Sequence, residues 1–228
     1  MEVIAMQLRV PALAVVFGCI AMPLAAASLT AELVDAQGQP LANAVLSLKG
    51  AAAPAQPAPG IMDQRDKQFM PTVLAVRSGT AVKFPNSDNI RHHVYSFSPP
   101  KRFELRLYKG TPSDPVLFDK PGVVVLGCNI HDWMVGYIYV TDDPWFAVSD
   151  AQGRLLIDNL PAGSYEVSLW HPQLANMLPQ AAGSLQVPAQ GLTQRFPLAV
   201  TGAAAAPAAP QSSGFGDAFR KATREVQP

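Results

Sequence analysis

The chain is poor in cysteine, histidine and charge. Its 228 residues include two cysteines and four histidines, and charged residues make up only 15%. Basic and acidic residues balance at 17 each, for a net charge of zero. No basic stripe exists to hold a phosphate backbone, so nucleic acid is excluded as a partner. Paired C-x2-C or H-x3-H spacing is missing, which argues against structural zinc. No Ser-His-Asp arrangement and no glycine-rich phosphate loop is present, and an enzyme is not expected. Helical periodicity is also scarce between residues 28 and 200.

The longest apolar run, residues 10–24, is too short to span a bilayer comfortably and is interrupted by Pro11 and Pro23. It follows Arg9 and leads into Ala25-Ala26-Ala27-Ser28, the layout of a secretory leader with a small-residue cleavage site. Residues 1–27 are therefore expected to be a signal peptide cut after Ala27. The product is expected in the periplasm, without stable membrane insertion. Cys19 lies in that leader, so Cys128 is the one thiol left in an oxidising compartment. A lone thiol there is a liability unless something occupies it.

What the chain has instead is proline (22 residues), glycine (16) and short runs of Val, Leu, Phe and Tyr. Strands are expected at 30–35, 44–49, 73–77, 81–84, 92–97, 103–107, 123–127, 136–140, 146–149, 165–170 and 195–200. Many short strands with turn punctuation predict an all-β protein built of β-sandwiches. Residues 51–60 read as an Ala/Pro-rich linker, residues 61–142 as one β-rich block, and residues 143–200 as a return to strands. Residues 201–228 read as an Ala/Pro-rich disordered tail.

The block 61–142 contains Cys128-Asn129-Ile130-His131-Asp132-Trp133-Met134, a thiol, an imidazole and a thioether at C-x2-H-x2-M spacing. A second imidazole source, His92-His93, lies upstream. Two His, one Cys and a weak axial Met form the ligand set of a blue-copper site: soft sulfur favours Cu(I), and imidazole suits both oxidation states. Cys128 and Met134 flank a tight loop that turns their sulfurs and His131 toward one point. The fourth ligand must come from another strand. Adjacent residues of a strand face opposite ways, so His92 and His93 cannot both serve. Asn86 and Asn129 suit either hydrogen bonding around the ligands or plain turns. Trp133 suits either the site rim or loop packing.

Three stretches carry a family resemblance: Ser78-Gly79-Thr80-Ala81-Val82-Lys83-Phe84-Pro85-Asn86, His92-His93-Val94-Tyr95-Ser96, and Pro121-Gly122 leading to Cys128 through Gly136. Together they resemble a cupredoxin of the plastocyanin and amicyanin kind. The resemblance implies a Greek-key β-sandwich holding one type I copper ion, with His92, Cys128, His131 and Met134 as ligands. It maps His93 onto a position where cupredoxins carry Asn. Segments 28–50 and 143–200 resemble the two halves of a carboxypeptidase-regulatory-like (transthyretin-like) sandwich, with the cupredoxin inserted between them. The combination is similar to secreted bacterial proteins described as methylamine utilization proteins, which implies electron transfer from an amine dehydrogenase.

The function expected is single-electron transfer between transient redox partners, a dehydrogenase or a cytochrome, by a monomer. The alternatives are copper storage or delivery without a redox partner, and a secreted β-sandwich interaction module. His171 is expected to lie in the flanking sandwich, away from the metal.

Overall fold

The computed structural model describes residues 26–52, 59–112 and 114–200. Among these residues there are seventeen strands and no helix, so the all-β expectation holds. The leader expected over 1–27 falls outside them except for Ala26 and Ala27. The expected tail, 201–228, lies wholly outside, as does most of the expected linker.

The chain opens with β1 (Ala26–Val34) and β2 (Val45–Lys49). A middle block follows: β3 (Gly60–Ile61), β4 (Asp63–Arg65), β5 (Gln68–Met70), β6 (Val73–Arg77), β7 (Thr80–Lys83), β8 (His92–Ser96), β9 (Phe103–Tyr108), β10 (Val116–Phe118), β11 (Gly122–Gly127) and β12 (Val135–Thr141). The last strands are β13 (Trp145–Val148), β14 (Arg154–Pro161), β15 (Gly163–Trp170), β16 (Gln180–Val187) and β17 (Leu192–Pro197).

The first and last segments share two sheets, ordered β14-β1-β17 and β13-β2-β15-β16. On β1 the period of two is plain: Leu29, Ala31 and Leu33 are fully buried while Ser28, Thr30 and Glu32 are only partly so. These residues join Leu46, Leu48, Val167 and Leu169 in one core. The middle block makes its own pair of sheets, β10-β7-β3 and β6-β12-β11-β8-β9. These enclose a second core that includes Val82, Phe84, Val94, Phe118, Val124 and Leu126.

The two cores meet across β6 and β12, which pair in parallel. Val76, Ile138 and Val140 fill the second core, whereas Val73, Tyr139 and, partly buried, Ala75 and Tyr137 face the first. Alternation along a strand serves two cores at once because the strand is covered on both faces. Trp170 of β15 completes the junction, with its ring centroid 5.8 Å from Tyr137 and 5.5 Å from Tyr139.

Several strands were not among those expected. The β4–β5 hairpin turns on Asp66 and Lys67, both left-handed (φ 53° and 57°), a two-residue turn without the usual glycine. β16 is exposed along most of its length, so its apolar signal is thin. β16 sits at a sheet edge, where burial imposes little pattern.

Candidate metal centre

β11 and β12 pair out to Gly127 opposite Val135, so residues 128–134 close the loop between them. The Met134 N–H donates to the His131 carbonyl at 2.9 Å and tightens that loop. A glycine precedes and follows it for steric reasons. A Cβ on Gly127 would lie 2.7 Å from the Tyr95 ring, and one on Gly136 would lie 2.7 Å from Phe69 Cβ. Cys128 and Met134 are 3% and 1% exposed and belong to the same core. Both also line a shallow cleft with Tyr95, Phe97 and Val125.

β8 lies on the other side of β11, in register at Tyr95 and Gly127. It delivers the second imidazole. His92 is fully buried, and its Nδ1 is 3.8 Å from Cys128 Sγ. His131 Nδ1 is also 3.8 Å from that sulfur. The two imidazole rings lie 4.9 Å apart. The donor atoms of His92, Cys128 and His131 all fall within 4.8 Å of one another. His93 turns elsewhere: its Nε2 is 3.0 Å from Glu104 Oε1, close but poorly aligned for a hydrogen bond.

This spacing fits a metal ion. With metal–sulfur and metal–nitrogen bonds of about 2.3 and 2.1 Å, a sulfur–nitrogen distance of 3.8 Å subtends about 120° at the ion. A trigonal His2Cys site needs sulfur–metal–nitrogen angles of about that size.

The protonation state of His131 suits ligation as well. Burial, with the His92 ring and Lys67 acting in the same sense, lowers the pKa of His131 against the opposing pull of Asp88. A neutral imidazole is the form that binds metal. Trp133 packs against His131, with ring centroids 5.1 Å apart and planes inclined at 57°.

Asn86 organises its own turn. Its Nδ2 donates to the carbonyls of Ile90 and Tyr108 at 2.9 and 2.8 Å, and its Oδ1 accepts from the Asp88 amide at 3.0 Å. Asn129 is exposed and lines a cleft beside His93 and Tyr95. His171 is far from this chemistry, in the first sandwich. Its Nε2 meets the Ala42 carbonyl at 3.0 Å, and its Nδ1 accepts from the Gln173 amide at 3.1 Å.

Sequence reasoning missed Asp88. Its Oδ2 lies 2.7 Å from His92 Nε2, the ring nitrogen opposite the one facing sulfur. Burial opposes ionisation of this carboxyl, but the Lys67 amide, the His92 ring and the Asp66 amide outweigh it and hold its pKa below the usual carboxylate range. The available signal was an acidic residue four positions before the histidine, in a stretch that reads as a loop.

Part of this chain is similar to solved cupredoxins. The copper-containing nitrite reductase NirK of Thermus scotoductus SA-01 is 29% identical over 49% of this chain and 28% of its own length, with a TM-score of 0.35. A purple cupredoxin of Nitrosopumilus maritimus is 23% identical over 36% of this chain and 96% of its own, with a TM-score of 0.31. An oxidised amicyanin variant is 19% identical over 43% of this chain and 99% of its own, with a TM-score of 0.34. No family profile matches the chain, and no curated protein is significantly similar to it.

Proposed function

We propose that this protein is a periplasmic electron carrier in which His92, Cys128, His131 and Met134 would hold one type I copper ion. The reading rests on one observation above all: a buried thiol with two imidazole Nδ1 atoms, each 3.8 Å away. Copper supplies a one-electron couple when bound, with sulfur ligands favouring Cu(I) and imidazoles accommodating both states.

The chain's residues do the rest. Cys128 gives up its proton to serve as a thiolate, so affinity falls in acid. Burial of His92, Cys128 and Met134 excludes water and keeps the donors in place through a change of charge. His131 is the least buried of the four and marks the side by which electrons enter or leave. Ile130, 46% exposed in the same loop, offers a small apolar contact for a transient partner, a dehydrogenase or a cytochrome.

We read 28–50 and 143–200 as one carboxypeptidase-regulatory-like sandwich into which 61–142 is inserted. An amine dehydrogenase as electron donor is the finer form of this proposal, and it rests on the sequence resemblance alone.

The test is titration of the purified protein with Cu(II) while its visible spectrum is recorded, with Cys128→Ser alongside. An intense blue band saturating at one equivalent, absent from the variant, is the expected result. Colourless binding, or none, overturns the electron-carrier reading. A blue site that loses its copper quickly to a chelator shifts the weight to copper delivery.

A further inference from the structure

One carboxylate stands behind the buried histidine, and its surroundings leave it little freedom. Asp88 Oδ1 accepts the Asp66 amide at 2.8 Å, and Oδ2 accepts the Lys67 amide at 3.0 Å. Both amides belong to the left-handed turn of the β4–β5 hairpin. Asp88's own amide donates to Asn86 Oδ1 at 3.0 Å. The carboxylate is thus fixed from two segments before it meets His92. It then approaches Nε2 at 2.7 Å, a charge-assisted length.

We propose that Asp88 is a positioning residue that sets the tautomer and basicity of His92 and thereby biases the site toward Cu(II). The proposal rests on the copper reading above. A carboxylate can only accept, so it keeps the imidazole proton on Nε2 and leaves the Nδ1 lone pair facing Cys128 Sγ. A hydrogen bond from the far ring nitrogen to a carboxylate raises the basicity of a ligating imidazole. The more basic ligand stabilises the higher charge, Cu(II), over Cu(I). Reduction adds one electron from a redox protein and moves no proton, because Nε2–H stays on the ring in both states. The hairpin turn at Asp66-Lys67 has no donor atom in the cluster but acts on the site through this carboxylate.

The experiment measures the reduction potential, and the Cu(II) and Cu(I) affinities by competition, for the full chain and for Asp88→Asn and Asp88→Glu. In Asp88→Asn the blue band persists, Cu(II) binding weakens 10- to 100-fold, and Cu(I) binding changes less. The potential then rises by about 59 mV for each tenfold difference between the two affinities. Asp88→Glu recovers part of the shift. A purely structural role for Asp88 weakens both states equally and leaves the potential where it was, which overturns the proposal.

A measurement on the unmutated protein decides the matter even if the variants do not fold. In the Cu(I) form, NMR should find the His92 Nε2–H far downfield and slow to exchange with water. A fast-exchanging or absent proton overturns the proposal. If the unmutated protein shows no blue band, the functional reading fails and takes this inference with it. A blue protein whose potential ignores residue 88 sinks this inference alone.

Discussion

Replacing Trp170 with alanine tests whether the two cores act as one folding unit. Trp170 is fully buried at the end of β15 and makes its ring contacts with Tyr137 and Tyr139 of β12, a strand of the middle block. Its Nε1–H donates to the Met177 carbonyl at 3.2 Å. Loss of a buried Trp ring leaves a cavity and costs about 3–5 kcal/mol. Met177 is only partly buried, so water can replace the lost partner of its carbonyl at little cost. The expected destabilisation is about 4 kcal/mol, a large share of the 5–15 kcal/mol that holds a typical domain together. At roughly 2–4 °C per kcal/mol for a chain of this size, the melting temperature falls by about 8–16 °C.

The assay is urea unfolding followed by circular dichroism, with Leu156→Ala as the control. Leu156 is 53% exposed, and its truncation should stay within about 0.5 kcal/mol. The unmutated protein should unfold in one transition, since alternate residues of β6 and β12 belong to different cores. In Trp170→Ala that transition should shift and broaden or split. A loss below about 1 kcal/mol with a single unchanged transition would refute the reasoning, because the aromatic junction would then contribute no coupling.

Two further outcomes follow from the geometry. Gly136→Ala drives a Cβ to 2.7 Å from Phe69 Cβ, inside the core and beside the 128–134 loop; the cost should be about 1–3 kcal/mol by chemical denaturation, with weaker copper uptake, and a neutral effect would contradict the packing. His171 is satisfied as a neutral ring, and burial lowers its pKa against the opposing bond to Ala42. Below its unfolded pKa of about 6.5 the unfolded chain binds the extra proton first, so this contribution is complete above that pH and is lost as pH falls from there through the lower folded value. His171→Gln should therefore flatten the acid arm of stability against pH in the metal-free protein, and an unchanged slope would count against it.

The candidate metal centre was easier to read from the sequence than the scaffold around it. Cys128, His131 and Met134 crowd one short loop, and their chemistry is rare enough to read without a fold. Period-two alternation allowed only one of His92 and His93 to face that loop, but it could not choose between them. The cupredoxin resemblance chose His92; β8 pairs irregularly with β9 between His92 and Val94, a feature no spacing rule reveals. The strands at 73–77 and 136–140 were legible because both of their faces are covered and their apolar runs are dense, and 123–127 because its run is apolar even though Val125 is exposed. The β4–β5 hairpin was not, since Asp63-Gln64-Arg65-Asp66-Lys67-Gln68 reads as polar loop. Its buried members, Gln64 and Phe69, are identifiable only once the fold has closed over them. Asp88 was missed for the same reason: its role is set by amides more than twenty residues away.

The hairpin and the carboxylate also bear on how the donor set is held. Gln64 is fully buried and donates through Nε2 to the Tyr108 hydroxyl and, at 3.3 Å, to the Pro85 carbonyl. Tyr108 in turn donates to the Phe84 carbonyl at 2.8 Å. Burial raises the pKa of that phenol, so it stays a neutral donor at any physiological pH. These bonds tie β4 to the β7 end and to β9, the edge strand next to β8. The turn beyond β4 then presents two amides to Asp88, and Asp88 presents its oxygen to His92. On the other side, Met134 N–H closes the ligand loop and Trp133 packs against His131. Each donor is thus fixed by bonds and packing that do not involve a metal. A site ordered in this way loses little conformational entropy on binding an ion and rearranges little when the ion changes charge. Such order suits the proposed electron transfer better than metal release, because a delivery site must let its ligands come apart, and here the carboxylate behind His92 is itself held by the Asp66 and Lys67 amides.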